Sequence, residues 1–428
     1  VAYVKVSPYT APVVNPLPTG PAGDRIDGQS IPLAGQGGEL QSSGSELSAQ
    51  IVQLGLVAPA TLGAGSYSDT ILITACYDNA CTNPAHGSPL TVPIGRAVDP
   101  TQGKGFSVQT LPVAASAISW SPTDQKLYAI VPSYAPSYAG SLVQIDPVAA
   151  SIVTSISLGS GANPSLLAIS DDGQYAYVGQ EQSPAQVQRV RLADLTIDQT
   201  FQIPAFLSLN ALRVAPGASG TVAVETYNDN TNMVIYDQGV ARSQSFTTGS
   251  VESTLPFTWG ADSSTLYAYD NVVPVGTLYQ LVATNAGVSS TRSTAALSVN
   301  GAPVDLAFAQ GLFYASTGAI INPSTEGVSA EFTTHTTGGG ASAPLAFAID
   351  TTLSRAFFLN SESTASGSPG MTLESFDLAS QKALWISRIA SQNGTSSLVR
   401  WGNNGIAYLT NGSGTTQLVL MSGALITQ

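Results

Sequence analysis

From about residue 104 onward, short apolar runs alternate with polar turns, and one phrase returns seven times. It is an apolar strand, a tight polar turn, then a second apolar strand that usually carries an aromatic residue. It reads AISWSPTDQKLYAIV, LLAISDDGQYAYVG, LRVAPGASGTVAVE, FTWGADSSTLYAYD, VDLAFAQGLFYAST, LAFAIDTTLSRAFFLN and LVRWGNNGIAYLTN. Aligning the phrases places Tyr128, Tyr177, Ala223, Tyr267, Tyr314, Phe358 and Tyr408 in one column, 44 to 50 residues apart. A third strand follows, often ending in aspartate (Asp146, Asp194, Asp237, Asp377), and a fourth precedes the next phrase. Four antiparallel strands repeated at this period predict a β-propeller of seven blades, filling residues 101–428.

The ends of this region predict how the ring closes. After the seventh phrase one hairpin remains, TQLVLMSGALITQ, which leaves that blade a strand short. The segment 106–113 precedes the first phrase and has no blade of its own. Pairing it with the last blade covers two sheet edges that otherwise invite aggregation.

The first 100 residues read differently. Val1–Val6 has the alternation of a strand and is followed by the proline-rich stretch PYTAPVVNPLPTGPAG and a Gly/Ser-rich segment at 34–46. AQIVQLGLV, SYSDTILITACYD and SPLTVPIGRAV then predict strands bounded by turn residues. The expected boundary is VDPTQGKG, residues 98–105. With few strands in the first half of this module, Val1–Val6 is expected to complete an exposed edge on a neighbouring subunit and so build a homopolymer; the alternative is that it belongs to its own module.

The phrases SDDGQYAYV, SPTDQKLYAIV and GADSSTLYAY resemble the YVTN-type seven-bladed propellers and their lactonase-like and surface-layer relatives, over about residues 104–428. Only one blade keeps an Asp-Gly turn, Asp172-Gly173. GAGSYSDTILITACYDNACTNPAHGSPLTVPI resembles the C-terminal half of Ig-like modules found in tandem on bacterial secreted proteins, over about residues 48–98. Together they imply an all-β chain, an Ig-like sandwich followed by a propeller.

Composition narrows the partners. Charged residues make up 10% of the chain, far below the usual quarter of globular proteins, and the net charge is −13. Nucleic acid and anionic lipid are thereby disfavoured. No apolar run reaches the length of a membrane span. Cys76 and Cys81, the two cysteines, sit across a short turn and predict a disulfide and an oxidising compartment: extracellular, cell-surface or periplasmic. Zinc on Cys76, Cys81 and His86 lacks an evident fourth ligand, and two buried thiols are the other alternative. The opening on VAYVKV fits a mature secreted chain and equally a cytosolic one.

Catalytic chemistry finds little support. The two histidines, His86 and His335, lie in different modules, and no GxSxG elbow accompanies the many serines. Asp124, Asp171, Asp172, Asp262 and Asp350 recur at the first tight turn of a blade, as backbone-capping aspartates do. Asn228, Asp229, Asn230 and Asn232 cluster without the closing glutamate of an EF-hand loop, so no metal or cofactor is expected. The triplets at Asn393 and Asn411 would accept glycans only in a eukaryotic secretory route.

Candidate binding residues fall in two groups. Arg213, Asp305 and Arg400 interrupt otherwise apolar innermost strands, which line a propeller's channel; Asp305 is expected to pair with an arginine, or the two arginines to hold a carboxylate or phosphate. Tyr134, Tyr138, Tyr227, Asp229, Tyr269 and Asp270 lie on loops between second and third strands, where tyrosine among Ser, Asn and Gly is a recognition composition. These features predict a non-enzymatic secreted or cell-surface scaffold or adhesion protein, with protein or carbohydrate partners. The alternatives are a subunit of an extracellular homopolymer, and a lactonase-like hydrolase with Asp305 as channel carboxylate.

Overall fold

The structure is a computed structural model. It describes residues 2–8, 39–40, 65–76, 82–83 and 90–98 of the first part, there essentially as backbone. It then describes 107–427 apart from residues 205–207, 229, 249–254, 271–275, 298–304, 326, 335–345, 364–368, 390–393 and 413–414. The chain divides into two units, Val1–Phe106 and Ser107–Gln428.

In the first unit β1 (Ala2–Pro8), β2 (Glu39–Leu40), β3 (Gly65–Cys76) and β4 (Leu90–Val98) form one antiparallel sheet in the order β2-β1-β3-β4. β1 is flanked by β3, from Tyr3 opposite Cys76 to Pro8 opposite Ile71, and by β2, with Ala2 opposite Leu40. One edge of β1 is thus paired within its own chain from Tyr3 to Pro8, and the other at Ala2 and Tyr3. The strand expected at AQIVQLGLV and the turn carrying Cys81 and His86 lie outside the described residues, and the described residues of this unit form one sheet.

The second unit holds seven antiparallel sheets, each a blade. Blades 1 to 6 span residues 117–157, 164–202, 208–247, 257–297, 306–331 and 346–389. Blade 7 takes three strands from 394–422 and its outer strand from β5 (Ser107–Leu111). β5 pairs antiparallel with Thr415–Ser422, from Leu418 opposite Leu111 to Ser422 opposite Ser107. The ring is thus fastened by its two ends, as the sequence predicted.

Side chains on a strand alternate between its two faces, so each second strand feeds two interblade cores. In blade 1, Tyr128 and Ile130 pack with Ala176, Val178 and Val190 of blade 2. Leu127, Ala129 and Val131 pack with Trp401, Ala407, Leu409 and Leu420 of blade 7. Tyr177, Ala223, Tyr267 and Tyr314 repeat the orientation of Tyr128. Phe358 and Tyr408 do not. Phe358 packs back onto Tyr314 and Phe332 of blade 5, and it is Ala407, not Tyr408, that faces blade 1. The residues equivalent to Tyr128 are therefore Phe357 and Ala407, one position earlier, because the aromatic pair Phe357-Phe358 and a small residue at 407 hide the register. A one-residue shift exchanges every side chain between faces.

The outer strands share a bulge. Blades 1, 2, 4, 5 and 6 each skip a residue at a corresponding place in the pairing of third and fourth strands, Val153, Asp198, Thr291, Ser329 and Leu384, and blade 4 skips Ala296 as well. A bulge bends an exposed edge and makes it a poor template for another strand. Thr291 and Ser329 turn their hydroxyls onto third-strand carbonyls, those of Gln280 and Ile320, both at 3.1 Å.

Closure gives the first prediction. A chain beginning at Pro112 lacks β5 and bares the edge of Thr415–Ser422. Such a chain is expected to self-associate and to lose a single cooperative unfolding transition, read by sedimentation velocity and thermal unfolding. A monomer of unchanged stability would contradict end-to-end closure.

Candidate binding face and channel

The recurrent aspartates hold turns. Asp172 accepts from the Gln174 amide at 2.9 Å and the Ser170 hydroxyl at 2.6 Å, and Asp262 from the Ser264 amide at 2.9 Å. Asp171 reaches into the next blade, accepting from the Gly217 amide at 2.7 Å. Asp124 takes the Tyr128 hydroxyl, and Asp350 the Leu353 amide at 2.9 Å. At the ends of third strands, Asp146 caps Val148 and Ala149 and pairs with Lys126 at 2.8 Å, while Asp377 caps Ser380. Arg242 grips Asp237 with two bonds of 2.7 and 2.9 Å, and this contact first of all holds that carboxyl below its ordinary range. Asp194 is held between Arg191 and Thr196.

The structure separates the channel residues. Arg213 of blade 3 and Asp305, at the entrance to blade 5, meet at 2.6 Å, reaching past blade 4. Asp305 also takes the Leu306 amide at 2.8 Å. Both side chains are partly open to solvent, at 36% and 45% exposure. Arg400 takes no part. Its guanidinium binds Asp350 at 3.0 Å and the carbonyls of Asn403 and Gly405, and lies over the Phe357 ring. It is a clamp between blades 6 and 7, and burial lowers its pKa despite the partner. The two arginines therefore do not converge on one anion.

The loop residues also divide. Tyr134 and Tyr138 are exposed, at 83% and 41%. Tyr227 is half-buried, and Asp229 lies outside the described residues. Tyr269 and Asp270 are each 3% exposed, contrary to expectation. Tyr269 lies two residues beyond Tyr267 on the same face, and so enters the core between blades 4 and 5 with Leu278 and Phe313.

Sequence reading missed a belt of buried polar residues. Three positions beyond the Tyr128 equivalents, on the opposite side of the strand, stand Gln180, Thr226, Asp270, Thr317, Asn360 and Thr410; blade 1 has Val131 there. All are buried. Gln180 donates to Gln188 at 2.6 Å, and Gln188 in turn to the Leu158 carbonyl of blade 1 at 3.1 Å. In the equivalent places of blade 6, Asn360 donates to Glu374 at 3.0 Å. The Gln180 Oε1, Asn360 Oδ1 and the hydroxyls of Thr226, Thr317 and Thr410 make no hydrogen bond within the described residues. The signal was in the repeat: even the slipped alignment places Ser361 and Asn411 in this column, which is polar in six blades of seven.

Glu225, also missed, faces blade 4. It is 1% exposed and accepts from the Leu255 amide at 2.8 Å and from Asn210 at 3.4 Å. Burial dominates, pushing its pKa up to about 7 against the opposing pull of these bonds and of Arg213.

No family model matches the chain, and no curated protein matches it. Among solved structures, the crystal structure of the Myceliophteria thermophila Cps50 (Swd1) β-propeller domain is similar, with a TM-score of 0.55 and 13% identity. The match covers 74% of this chain and all of that one. The second unit is a seven-bladed β-propeller. At this identity the likeness is one of fold, and it carries no activity or partner across.

An acid whose pKa is raised on folding stabilises the protein below its unfolded value, and that contribution is lost as pH rises through the folded value. For Glu225 the window runs from 4.5 to about 7. Glu225→Gln is therefore expected to gain about 3 kcal/mol over the wild type between about pH 4 and about pH 9, measured by denaturant unfolding. A difference independent of pH would contradict the assignment. Arg400→Ala removes the cation from a largely covered Asp350 that keeps only its Leu353 amide bond, and is expected to cost about 2–3 kcal/mol. Arg213→Ala breaks a half-exposed pair and should cost about 1 kcal/mol or less.

Proposed function

We propose that this chain is a non-enzymatic binding scaffold of the cell surface or extracellular space, which engages a protein or carbohydrate partner through the propeller face bearing the loops between second and third strands. The observation that carries this reading is the contrast between the ionisable groups and the tyrosines. The recurrent aspartates cap turns, Arg400 clamps two blades and Arg213 engages Asp305. Tyr134 and Tyr138 instead stand open on a well-anchored loop, and tyrosine gives large contact area at small entropic cost. A disulfide between Cys76 and Cys81 fits the same location.

The test is retention of a partner from extracellular material on the immobilised full chain. Tyr134→Ala combined with Tyr138→Asn is expected to reduce retention roughly ten-fold, the effect of removing an interface anchor, with thermal unfolding unchanged. Equal retention would remove the face from consideration. Hydrolysis of a lactone panel that disappears in Asp305→Asn would replace the scaffold reading with the hydrolase one.

A further inference from the structure

We propose that the loop 132–140 of blade 1 takes up an uncharged, proline-rich extended peptide, the chemistry of this chain's own segment 8–23. The inference rests on the binding-face reading above and names the partner of that face.

The loop is a tandem repeat, Pro-Ser-Tyr-Ala twice over from Pro132 to Ala139. It is held from beneath. Pro132 and Ala135 are buried, and the Ala135 amide closes a turn onto the Pro132 carbonyl at 3.2 Å. Ser133 bonds Asn163 Oδ1 through its hydroxyl at 3.2 Å and its amide at 3.4 Å. At the far end the Leu158 amide bonds the Gly140 carbonyl at 2.9 Å. Gly140 has φ +63°, and a Cβ there would meet the Ala162 carbonyl oxygen at 2.9 Å. Both exposed tyrosines therefore ride on a pre-ordered loop, which lowers the entropic cost of binding.

Tyr138 itself sits at φ 58°. The other described non-glycine residues with positive φ are Gln125, Ala150, Leu195, Gln238, Gln310, Ser354 and Gln381, all in turns of the opposite face. Among the described residues Tyr138 is thus the one aromatic held in the left-handed region, and strain of this kind concentrates at functional sites.

The chemistry of the loop selects the ligand. Residues 132–140 carry no charge, and Glu181, whose amide bonds the Asn163 carbonyl at 3.0 Å, together with the chain's net charge of −13 repels acids and phosphates. What the loop offers is two exposed aromatic rings with hydroxyls. A polyproline II strand is the complement: ring faces and backbone carbonyl acceptors, with few N–H groups to satisfy. The segment 8–23 has Pro8, Pro12, Pro16, Pro18 and Pro21 and no charged residue. In a polyproline II strand of this sequence, Pro18 and Pro21, three residues apart, would share a face.

The probe is a synthetic, fluorescently labelled peptide of residues 8–23. The receptor is the full chain with Pro12, Pro16, Pro18 and Pro21 changed to serine, so that its own copy does not compete. Anisotropy is expected to show saturable binding. That binding should weaken roughly ten-fold or more when Tyr134→Ala and Tyr138→Asn are added, asparagine being chosen because it tolerates the left-handed conformation. A peptide with alanine for each proline should weaken equally. Absence of saturable binding, or equal binding by the tyrosine variant or the proline-free peptide, overturns the inference, as does saturable binding of an oligosaccharide in place of the peptide. If the peptide fails while retention of an extracellular partner still depends on the tyrosines, this inference falls and the binding-face reading stands. If retention is also independent of them, both fall.

Discussion

A four-stranded blade has two apolar faces and cannot bury either by itself, so each blade is stable only between two others. That requirement has no end until the stack returns on itself. The pairing of Ser107–Leu111 with Thr415–Ser422 meets it, and the rest of the propeller depends on that contact. The core between blades 7 and 1, where Leu127, Ala129 and Val131 meet Trp401, Ala407 and Leu409, exists only because the ring is shut.

Ring closure also explains where the charges went. Each interblade core is apolar across the middle and polar at its rims. Near one rim, Asp171 reaches the Gly217 amide of the next blade and Arg400 reaches back to Asp350. Toward the other lie the buried amides and hydroxyls of the belt from Gln180 to Thr410, and Glu225 on the Leu255 amide. Where such groups are bonded across a boundary, as Gln188 is to the Leu158 carbonyl and Glu225 to the Leu255 amide, they tie neighbouring blades at definite heights. A chain with so few charges spends most of those described on architecture. The loop of Tyr134 and Tyr138 differs in kind, since its tyrosines are anchored from below yet open above.

The blade count, the four strands per unit, the turn-capping aspartates and the closure strand were legible in the sequence, because each follows from local hydrophobic alternation and turn chemistry. The register of two blades was not. Phe357 and Phe358 are adjacent aromatics, either of which satisfies the pattern, and packing against Tyr314 and Phe332 selects which one turns back. Tyr269 and Asp270 looked like loop residues for a different reason: the second strand of blade 4 runs on to Asp270, past the tyrosine that marks the repeat.

The amino-acid sequence by itself determined that this region is a ring of seven antiparallel sheets, since strand and turn signals are local and repeat. Only the tertiary structure decided which groups meet across it. Arg213 and Asp305 are 92 residues apart in the chain yet 2.6 Å apart in space, while Arg400 found Asp350 instead. Those partnerships depend on the angle each blade subtends and on the face each side chain takes. Neither quantity exists until the ring has closed.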